Sequence, residues 1–288
     1  MTLDDINDDL ALAKKPFRVV AALAVHGRLP LLEHTIRRLY QKNGCVKVIC
    51  AGDNPEDKVL CESLGAVWVH IKNRFLGDKW NAAFKKAKDF NPDAVLFVGS
   101  SDWVSDNWFS VMEPYVEKYG FAGVPGCFLA DLGEEVRLCH WSGYAFCRPE
   151  RADETIGIGR MLSRRLLDAL NWEPFSPILK NSLDRSMKDR AKTKGYVDHM
   201  VMDSRLKAMS LSTSLWPNKH RFSDHWEPNG RAKSARMLPD EFLRYNFPEA
   251  IELYETLKPM IDEKIDLERR TSIESSHAAE DRVQNLPV

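Results

Sequence analysis

Polar side chains that could bind a ligand follow apolar runs in the first hundred residues. Asp53 and Asp102 each come just after a run with the length and composition of a buried strand, residues 46–51 and 94–98. His26 follows a similar run earlier in the chain. A carboxylate at a strand end can hold a divalent cation or accept a hydrogen bond from a ligand, although it often only caps a turn.

Strand-like and helix-like segments alternate along this part of the chain, which predicts a parallel sheet with helices on both faces. In such sheets, ligands bind beyond the carboxyl ends of the strands, where these polar residues lie. The predicted strands are 18–25, 46–51, 67–71 and 94–98, and the predicted helices are 30–42, 56–64 and 78–89.

The second half of the chain has a different pattern. Paired strands are expected over 121–129 and 135–146, a helix over 163–170 with Ser163 as its N-cap, a basic helix over 183–194, and a strand over 206–215. Helices are expected over 239–267 with a break near Pro248. The polar composition after residue 267 predicts disorder.

These patterns predict one main domain with extensions. The expected parts are an acidic segment 1–15, a domain 16–236 with halves of about 16–120 and 121–236, C-terminal helices 237–267, and a disordered tail 268–288.

Composition places the chain among ordinary globular proteins. It has 288 residues, of which 44% are hydrophobic and 29% charged, and its six cysteines are scattered without a C-x-x-C pair. No apolar run approaches the ~18 residues that span a bilayer, and the N-terminus is acidic. We therefore expect reduced thiols, no membrane partner and a cytoplasmic location.

Several common catalytic motifs are absent from the sequence. It contains no P-loop, no G-x-G-x-x-G after the first predicted strand, no G-x-S-x-G elbow and no H-E-x-x-H. This argues against P-loop NTPases, typical Rossmann dehydrogenases, α/β-hydrolases and zinc peptidases.

Residues 76–83 (LGDKWNAA), followed by 94–98 and then by 99–105 (GSSDWVS), resemble a GT-A glycosyltransferase, closest to the family 2 type. In that family an acidic motif ends the fourth strand, and its last carboxylate binds a divalent ion that holds the nucleotide-sugar diphosphate. Asp102 matches this carboxylate, whereas Ser101 stands where many relatives have a second aspartate. The resemblance implies an α/β fold with a GT-A (Rossmann-like) mixed sheet flanked by helices and followed by a C-terminal helical extension.

Three further segments match the family in order, and the resemblance covers roughly residues 18–215. Residues 24–28 resemble the first-strand loop that contacts the nucleotide, and Asp53 matches the carboxylate that binds a uracil-type base. Residues 157–167 resemble a glycine-bearing loop and helix beside the sugar. Asp184, after Leu183, stands where inverting members carry the general base.

The resemblance therefore implies a UDP-sugar donor, Mn²⁺ or Mg²⁺ as cofactor, and Asp184 as the catalytic residue. The implied nucleotide-sugar contacts are Ala24, His26, Arg28, Asp53, Lys79, Ser101, Asp102 and Arg160, and the implied metal ligands are Asp102 and His220.

Structural alternatives stay open for these residues. Asp53 could cap a turn, Asp184 could pair with Lys188 along a helix, and Arg160 could pair with a nearby carboxylate. The whole chain could also be an inactive module that binds nucleic acid or glycan, or a nucleotidyltransferase of similar topology.

Charge is unevenly distributed and bears on the acceptor. Residues 137–236 carry 19 Lys and Arg against 11 Asp and Glu, a net charge of +8, with Trp172, Trp216 and Trp226 interleaved. Cations track a phosphate backbone and aromatic faces stack on bases, although a charge block is often only a solvated face. One hypothesis is therefore that the acceptor is a hydroxymethylated pyrimidine in DNA, as in phage-type DNA-modifying glycosyltransferases. If a phage encodes the chain, the expected location is the host cytoplasm.

Overall fold

The computed structural model describes residues 15–216 and 235–284. Four parallel strands form the first part of a mixed sheet in the order β3-β2-β1-β4. Their bounds are Val19–Ala24 (β1), Lys47–Gly52 (β2), Val67–His70 (β3) and Ala94–Phe97 (β4). The predicted parallel strands are confirmed, because short apolar runs separated by helical crossovers favour this arrangement.

Three more strands extend this sheet beyond β4. They are β6 (Phe121–Gly123), β9 (Arg160–Ser163) and β10 (His199–Met200), and β9 runs antiparallel to both β4 and β6. The sequence did not predict β9, because a four-residue strand gives too short a periodic signal. The helix that follows does begin as predicted, since Ser163 Oγ accepts a hydrogen bond from the Leu166 amide at 3.4 Å.

A second sheet lies in the order β12-β8-β7-β11-β5. Its strands are Asp102–Val104 (β5), Cys127–Leu132 (β7), Val136–Trp141 (β8), Ala208–Thr213 (β11) and Ala235–Leu238 (β12). The prediction of one strand over 121–129 was wrong, because the chain turns at Pro125 and Gly126 between β6 and β7. The prediction over 135–146 was too long, since the strand ends at Trp141.

Helices cover both faces of the first sheet. One face packs against α1 (Leu29–Gln41), α2 (Pro55–Ser63) and α4 (Trp108–Tyr119). The other packs against α3 (Leu76–Ala87), α6 (Arg164–Ala169) and α7 (Leu183–Lys192). A short helical turn, α5 (Tyr144–Cys147), follows β8. The expected mixed α/β sheet flanked by helices is confirmed.

Two C-terminal helices, α8 (Asp240–Asn246) and α9 (Pro248–Gln284), cover the second sheet, and the predicted break near Pro248 is present. Leu257 and Ile261 of α9 are buried against this sheet. The disorder predicted after residue 267 does not match the helix, which continues to Gln284. A helix that has already nucleated on a packed surface propagates at little cost, and an i,i+4 pair between Lys264 and Glu268 (3.7 Å) supports it.

None of the helices in the described ranges is both long and apolar enough to span a bilayer.

Candidate functional site

The predicted ligand residues meet at one edge of the first sheet. β1 lies between β2 and β4 and is parallel to both, so the carboxyl ends of the three strands are neighbours. His26 follows β1, Asp53 follows β2, and Asp102 lies five residues after the end of β4. Ala24 is the last residue of β1 and is paired with Ala51 of β2.

The loop after β1 has an unusual backbone. Gly27 and Arg28 both have positive φ, 67° and 62°. The Gly27 amide donates to Oδ2 of Asp57, a fully buried carboxylate on α2, at 2.8 Å. This bond holds the loop against α2 and directs Arg28 across the sheet edge, where its Nη1 donates to Ser101 Oγ at 3.3 Å.

Arg28 is therefore a cation near the predicted metal-binding carboxylate. Burial lowers the pKa of Arg28, and the charge of Asp102 opposes that shift. Arg28 therefore brings a positive charge near Asp102, at the sheet edge where a diphosphate is expected.

A tight turn holds the Asp102 carboxylate. Its Oδ2 accepts a hydrogen bond from the Gly99 amide at 2.8 Å, and a Cβ added to Gly99 would lie 2.6 Å from that oxygen. Ser101 is buried, and its carbonyl accepts from the Leu211 amide at 2.9 Å. The turn thus joins β4 to the second sheet and fixes the direction of the carboxylate.

Asn73, after β3, connects the neighbouring loops. Its amide donates to Asp53 Oδ2 at 2.8 Å, and its Nδ2 lies 3.3 Å from His26 Nδ1. The pKa of Asp53 is lowered, mainly by the Asn73 amide and further by the charge of Lys79. The family resemblance did not assign a role to Asn73. Its position just after the third predicted strand was the feature that could have indicated it as a site residue.

Lys79 is buried, and its ammonium group is hydrogen-bonded within the protein. Its Nζ donates to the Val25 carbonyl at 2.7 Å and to Asn73 Oδ1 at 3.1 Å. Burial lowers the pKa of Lys79, whereas the charges of Asp53 and Asp57 raise it.

Asp184 lies in the first turn of α7, where the helix dipole favours a negative charge. Its Oδ2 accepts from Tyr144 Oη at 2.7 Å and from the Gly157 amide at 3.1 Å. The alternative pairing with Lys188 is absent, because Lys188 Nζ bonds Asp153 at 2.5 Å instead. Sequence reasoning missed Tyr144, which no local motif marks.

Arg160 is fully buried behind Asp184 and is occupied within the protein. Its Nη1 donates to the Asp184 carbonyl at 2.9 Å and its Nε to Thr155 Oγ1 at 2.7 Å. Its Nη2 bonds the Thr155 carbonyl and lies 3.4 Å from Asp198 Oδ2. The predicted phosphate contact stays a prediction, and in this structure Arg160 ties the 155–160 loop to α7.

Asp102 and Asp184 come from different parts of the chain, but the charges of both affect one buried thiol, that of Cys127. Burial is the largest cause that raises the pKa of the Cys127 thiol well above its usual value, followed by the charges of Asp102, Cys139 and Asp184. Cys127 opens β7 and is 2% exposed. Both carboxylates also lie near the end of β4: the Gly99 amide bonds Asp102, and a Cβ added to Gly157 would meet both Asp184 and Phe97.

The residues available to hold a metal ion are few. No cluster of three or more His, Cys, Asp or Glu side chains suited to a metal occurs within 15–216 and 235–284. Asp102 is the carboxylate at the predicted position, with the Ser101 hydroxyl beside it. Mg²⁺ is often held by one or two carboxylates together with substrate phosphates, so this set fits an ion that binds along with a diphosphate. His220, the other predicted ligand, lies outside the described residues.

The predicted aromatic and cationic acceptor surface is only partly exposed. Trp172 is buried and its indole donates to Asp168 at 2.9 Å, whereas Trp216 is half-buried. Trp226 lies outside the described residues. Near the sheet edge, the cations of Arg74 and Lys180 lie 5.0 and 5.9 Å from the centre of the Phe75 ring.

The similarity of this chain to known proteins lies in its structure. The sequence matches no protein family and no curated protein. Among solved structures, the chain is similar to the mannosyltransferase PcManGT from Pyrobaculum calidifontis in complex with GDP-Man and Mn²⁺, with 13% identity, 69% of this chain covered and a TM-score of 0.46. It is also similar to S. aureus TarS 1-349 in complex with UDP-GlcNAc, with 12% identity, 68% of this chain covered and a TM-score of 0.45. The matches span 60% and 58% of those chains.

Proposed function

We propose that this chain is a glycosyltransferase that moves a sugar from a UDP-sugar to an acceptor hydroxyl with inversion at the anomeric carbon. The observation that carries the proposal is that Asp102 and Asp184 both lie near the end of β4, beside the sheet edge that holds Asp53. Asp102 accepts from the Gly99 amide, two residues after β4, and a Cβ added to Gly157 would meet both Asp184 and Phe97, the last residue of β4. In this proposal Asp102 serves the leaving diphosphate and Asp184 the attacking hydroxyl.

The donor would bind across the ends of β1, β2 and β4. The lowered pKa of Asp53 keeps it ionised at neutral pH, so it can accept a hydrogen bond from an N–H of uracil. Ala24 and His26 would border the nucleotide, with Lys79 supporting the loops beneath it. Arg28 would offer a cation to the diphosphate next to Ser101.

Asp102 is proposed to hold Mn²⁺ or Mg²⁺ jointly with the diphosphate, and His220 is proposed as a further ligand. When bound, the ion supplies positive charge that stabilises the leaving group. Arg28 adds a second positive charge on the same side.

Asp184 is proposed to act as the general base. It takes the proton of the acceptor hydroxyl as that oxygen bonds to the anomeric carbon, and the bond from that carbon to the diphosphate breaks with its electron pair. A base for this step must lie within hydrogen-bond reach of the hydroxyl and stay ionised. The Tyr144 hydroxyl and the Gly157 amide both donate to Oδ2 and hold the carboxylate in place.

The acceptor is proposed to be a hydroxymethylated pyrimidine in DNA. Support comes from the net charge of +8 over residues 137–236 and from Phe75 with its two neighbouring cations. Cations bind a phosphate backbone and an aromatic face can stack on a base taken out of the duplex.

Thermal stability in a panel of nucleotide sugars, each with and without Mn²⁺, tests the donor site. A ligand that binds only the native state at a hundredfold excess over Kd stabilises it by about 2.7 kcal/mol. We expect one UDP-sugar to raise the melting temperature, more so with Mn²⁺, and Asp102→Asn to lose the metal-dependent part. The matched control is Asp262→Asn, which removes an exposed ion pair with Lys258 on α9.

Other outcomes would identify the alternatives. Stabilisation by nucleoside triphosphates but by no nucleotide sugar would indicate a nucleotidyltransferase. Binding of DNA or glycan without donor binding or transfer would indicate a binding module.

Filter binding of DNA across a salt series tests the acceptor class. We expect affinity for DNA to fall as salt rises. The double variant Arg74→Ala and Lys180→Ala should reduce the slope of log K against log salt concentration by roughly 2, since each phosphate contact contributes about 0.9. The control, Arg37→Ala with Lys58→Ala, removes two cations from α1 and α2. Salt-independent or absent binding would exclude DNA as the acceptor.

A further inference from the structure

We propose that Tyr144 is a positioning residue that fixes the Asp184 carboxylate for proton transfer. This inference rests on the proposed function of Asp184 as general base. Tyr144 lies on α5, between the second sheet and the 148–156 loop, and no motif in the sequence connects it with Asp184.

The contact is short and directional. Tyr144 Oη donates to Asp184 Oδ2 at 2.7 Å, and the Gly157 amide donates to the same oxygen at 3.1 Å. Two donors on one oxygen determine the rotation of the carboxylate. The other oxygen, Oδ1, lies 3.7 Å from Arg160 Nη1 and is left to take the proton.

The Tyr144 ring is itself held by two neighbouring side chains. The guanidinium carbon of Arg151 lies 3.5 Å from the ring centroid, and Trp141 packs edge-on at 5.2 Å. Arg151 is fixed in turn by two bonds to Glu154, one of them from Nε to Oε2 at 2.8 Å, and Glu154 is 2% exposed. A hydroxyl on so constrained a ring has little freedom to move away from Asp184.

The start of α5 also requires a specific backbone. Gly143 has a φ of 91°, and a Cβ there would lie 1.8 Å from the Pro125 carbonyl oxygen. Residue 143 must therefore be a glycine for the Tyr144 ring to occupy this position.

The hydroxyl remains the donor at ordinary pH. Burial, followed by the charge of Asp184, raises the pKa of Tyr144 well above its usual value, and the nearby cations Arg151 and Arg160 only partly oppose this. Tyr144 thus gives Asp184 a hydrogen bond and does not compete with it as a base.

The test is Tyr144→Phe, which removes only the hydroxyl. We expect kcat to fall about 10- to 100-fold, because a small misplacement of a catalytic group is costly. Donor affinity, measured by calorimetry with the nucleotide sugar that the parent uses, should stay within about twofold, since Tyr144 is not expected to touch the donor. The matched control is Tyr40→Phe, which removes a hydroxyl bonded to the Gly65 carbonyl at 2.9 Å, away from this site. A purely structural role would lower stability in both variants and leave kcat alone.

A double-mutant cycle separates positioning from other losses. In an Asp184→Asn background the base is absent, so Tyr144→Phe should change the residual rate little. Parent-like kcat in Tyr144→Phe, or an equal loss in both backgrounds, would overturn the proposal.

Two further measurements cover the remaining cases. If Tyr144→Phe does not fold, Arg151→Gln frees the ring while keeping the hydroxyl. We expect a smaller fall in kcat with unchanged donor affinity, and an unchanged kcat would overturn the proposal.

If the parent transfers no sugar, the proposed function fails separately, and crystal structures still test the positioning. Asp184 Oδ2 should leave the Gly157 amide in Tyr144→Phe and remain bonded in Tyr40→Phe.

Discussion

The Nζ atom of Lys79 donates a hydrogen bond of 2.7 Å to the carbonyl oxygen of Val25, the residue that follows β1. Lys79 is on α3, so this bond joins the crossover helix to the edge of the sheet where the donor is proposed to bind. A phosphate contact by Lys79 would compete with the two bonds that its ammonium already makes.

Lys79→Met should therefore destabilise the fold. It leaves the Val25 carbonyl and Asn73 Oδ1 without this donor, and an unsatisfied buried polar group costs about 1–3 kcal/mol. Urea unfolding measures the loss. Lys85→Met, which removes a more exposed amine from the same helix, is the control and should change stability by less than about 1 kcal/mol. Equal stability of the two variants would contradict this role.

Gly157→Ala should impair transfer while donor binding is retained. The added Cβ would lie 2.5 Å from Asp184 Oδ1 and 2.9 Å from Phe97 Cε1, so the carboxylate must shift. We expect kcat to fall at least about tenfold with little change in donor affinity. Gly133→Ala is the control, since its nearest atoms would be 3.7 Å away. A Gly157→Ala enzyme with full activity would show that this shift does not matter.

Gly99→Ala should have the same effect on donor binding as metal removal. Its Cβ would lie 2.6 Å from Asp102 Oδ2 and displace the proposed metal ligand. Thermal shifts with the nucleotide sugar should be smaller in EDTA for the parent, and EDTA should have little further effect on the variant. The interpretation fails if Gly99→Ala keeps the full Mn²⁺-dependent shift.

Arg160→Met should unfold the protein more easily than any exposed arginine variant. It removes the partner of buried Asp198 and several hydrogen bonds, and breaking a buried pair costs about 3–5 kcal/mol. The control is Arg164→Met, whose pair with Asp168 at 3.6 Å is largely exposed. Denaturant unfolding of the two variants gives the comparison, and a loss below about 1 kcal/mol for Arg160→Met would contradict a structural role.

His140 should make stability depend on pH. Burial lowers the pKa of His140, so the folded protein binds a proton less readily there than the unfolded chain does. The stabilisation from neutral His140 is present above the unfolded pKa of about 6.5 and is lost as pH falls through the lowered folded pKa. Urea unfolding at pH 7.5 and 5.5 should show a smaller loss of stability for His140→Gln than for the parent. The same loss in both proteins would contradict the prediction.

The sequence determined the parallel part of the sheet and the edge where the site lies. Apolar runs and helical periodicity are local signals, and they located β1 to β4 and α1 to α3 within a few residues. Local chemistry also located the Ser163 cap and the break before Pro248. Because parallel strands bring their carboxyl ends together, His26, Asp53 and Asp102 could be placed at one edge before the structure was known.

The tertiary structure alone decided which side chains meet. In the sequence Arg160 looks like a surface cation. In the fold it lies in β9, and its side chain is buried beside Asp198. Tyr144 reaches Asp184 across forty residues, a distance that no local period encodes. Hydrophobic pattern reports which residues leave water, whereas hydrogen-bond partners and buried charges depend on how separate elements pack. For this reason the sequence predicted where the site lies, and only the packed fold showed how its carboxylates are held.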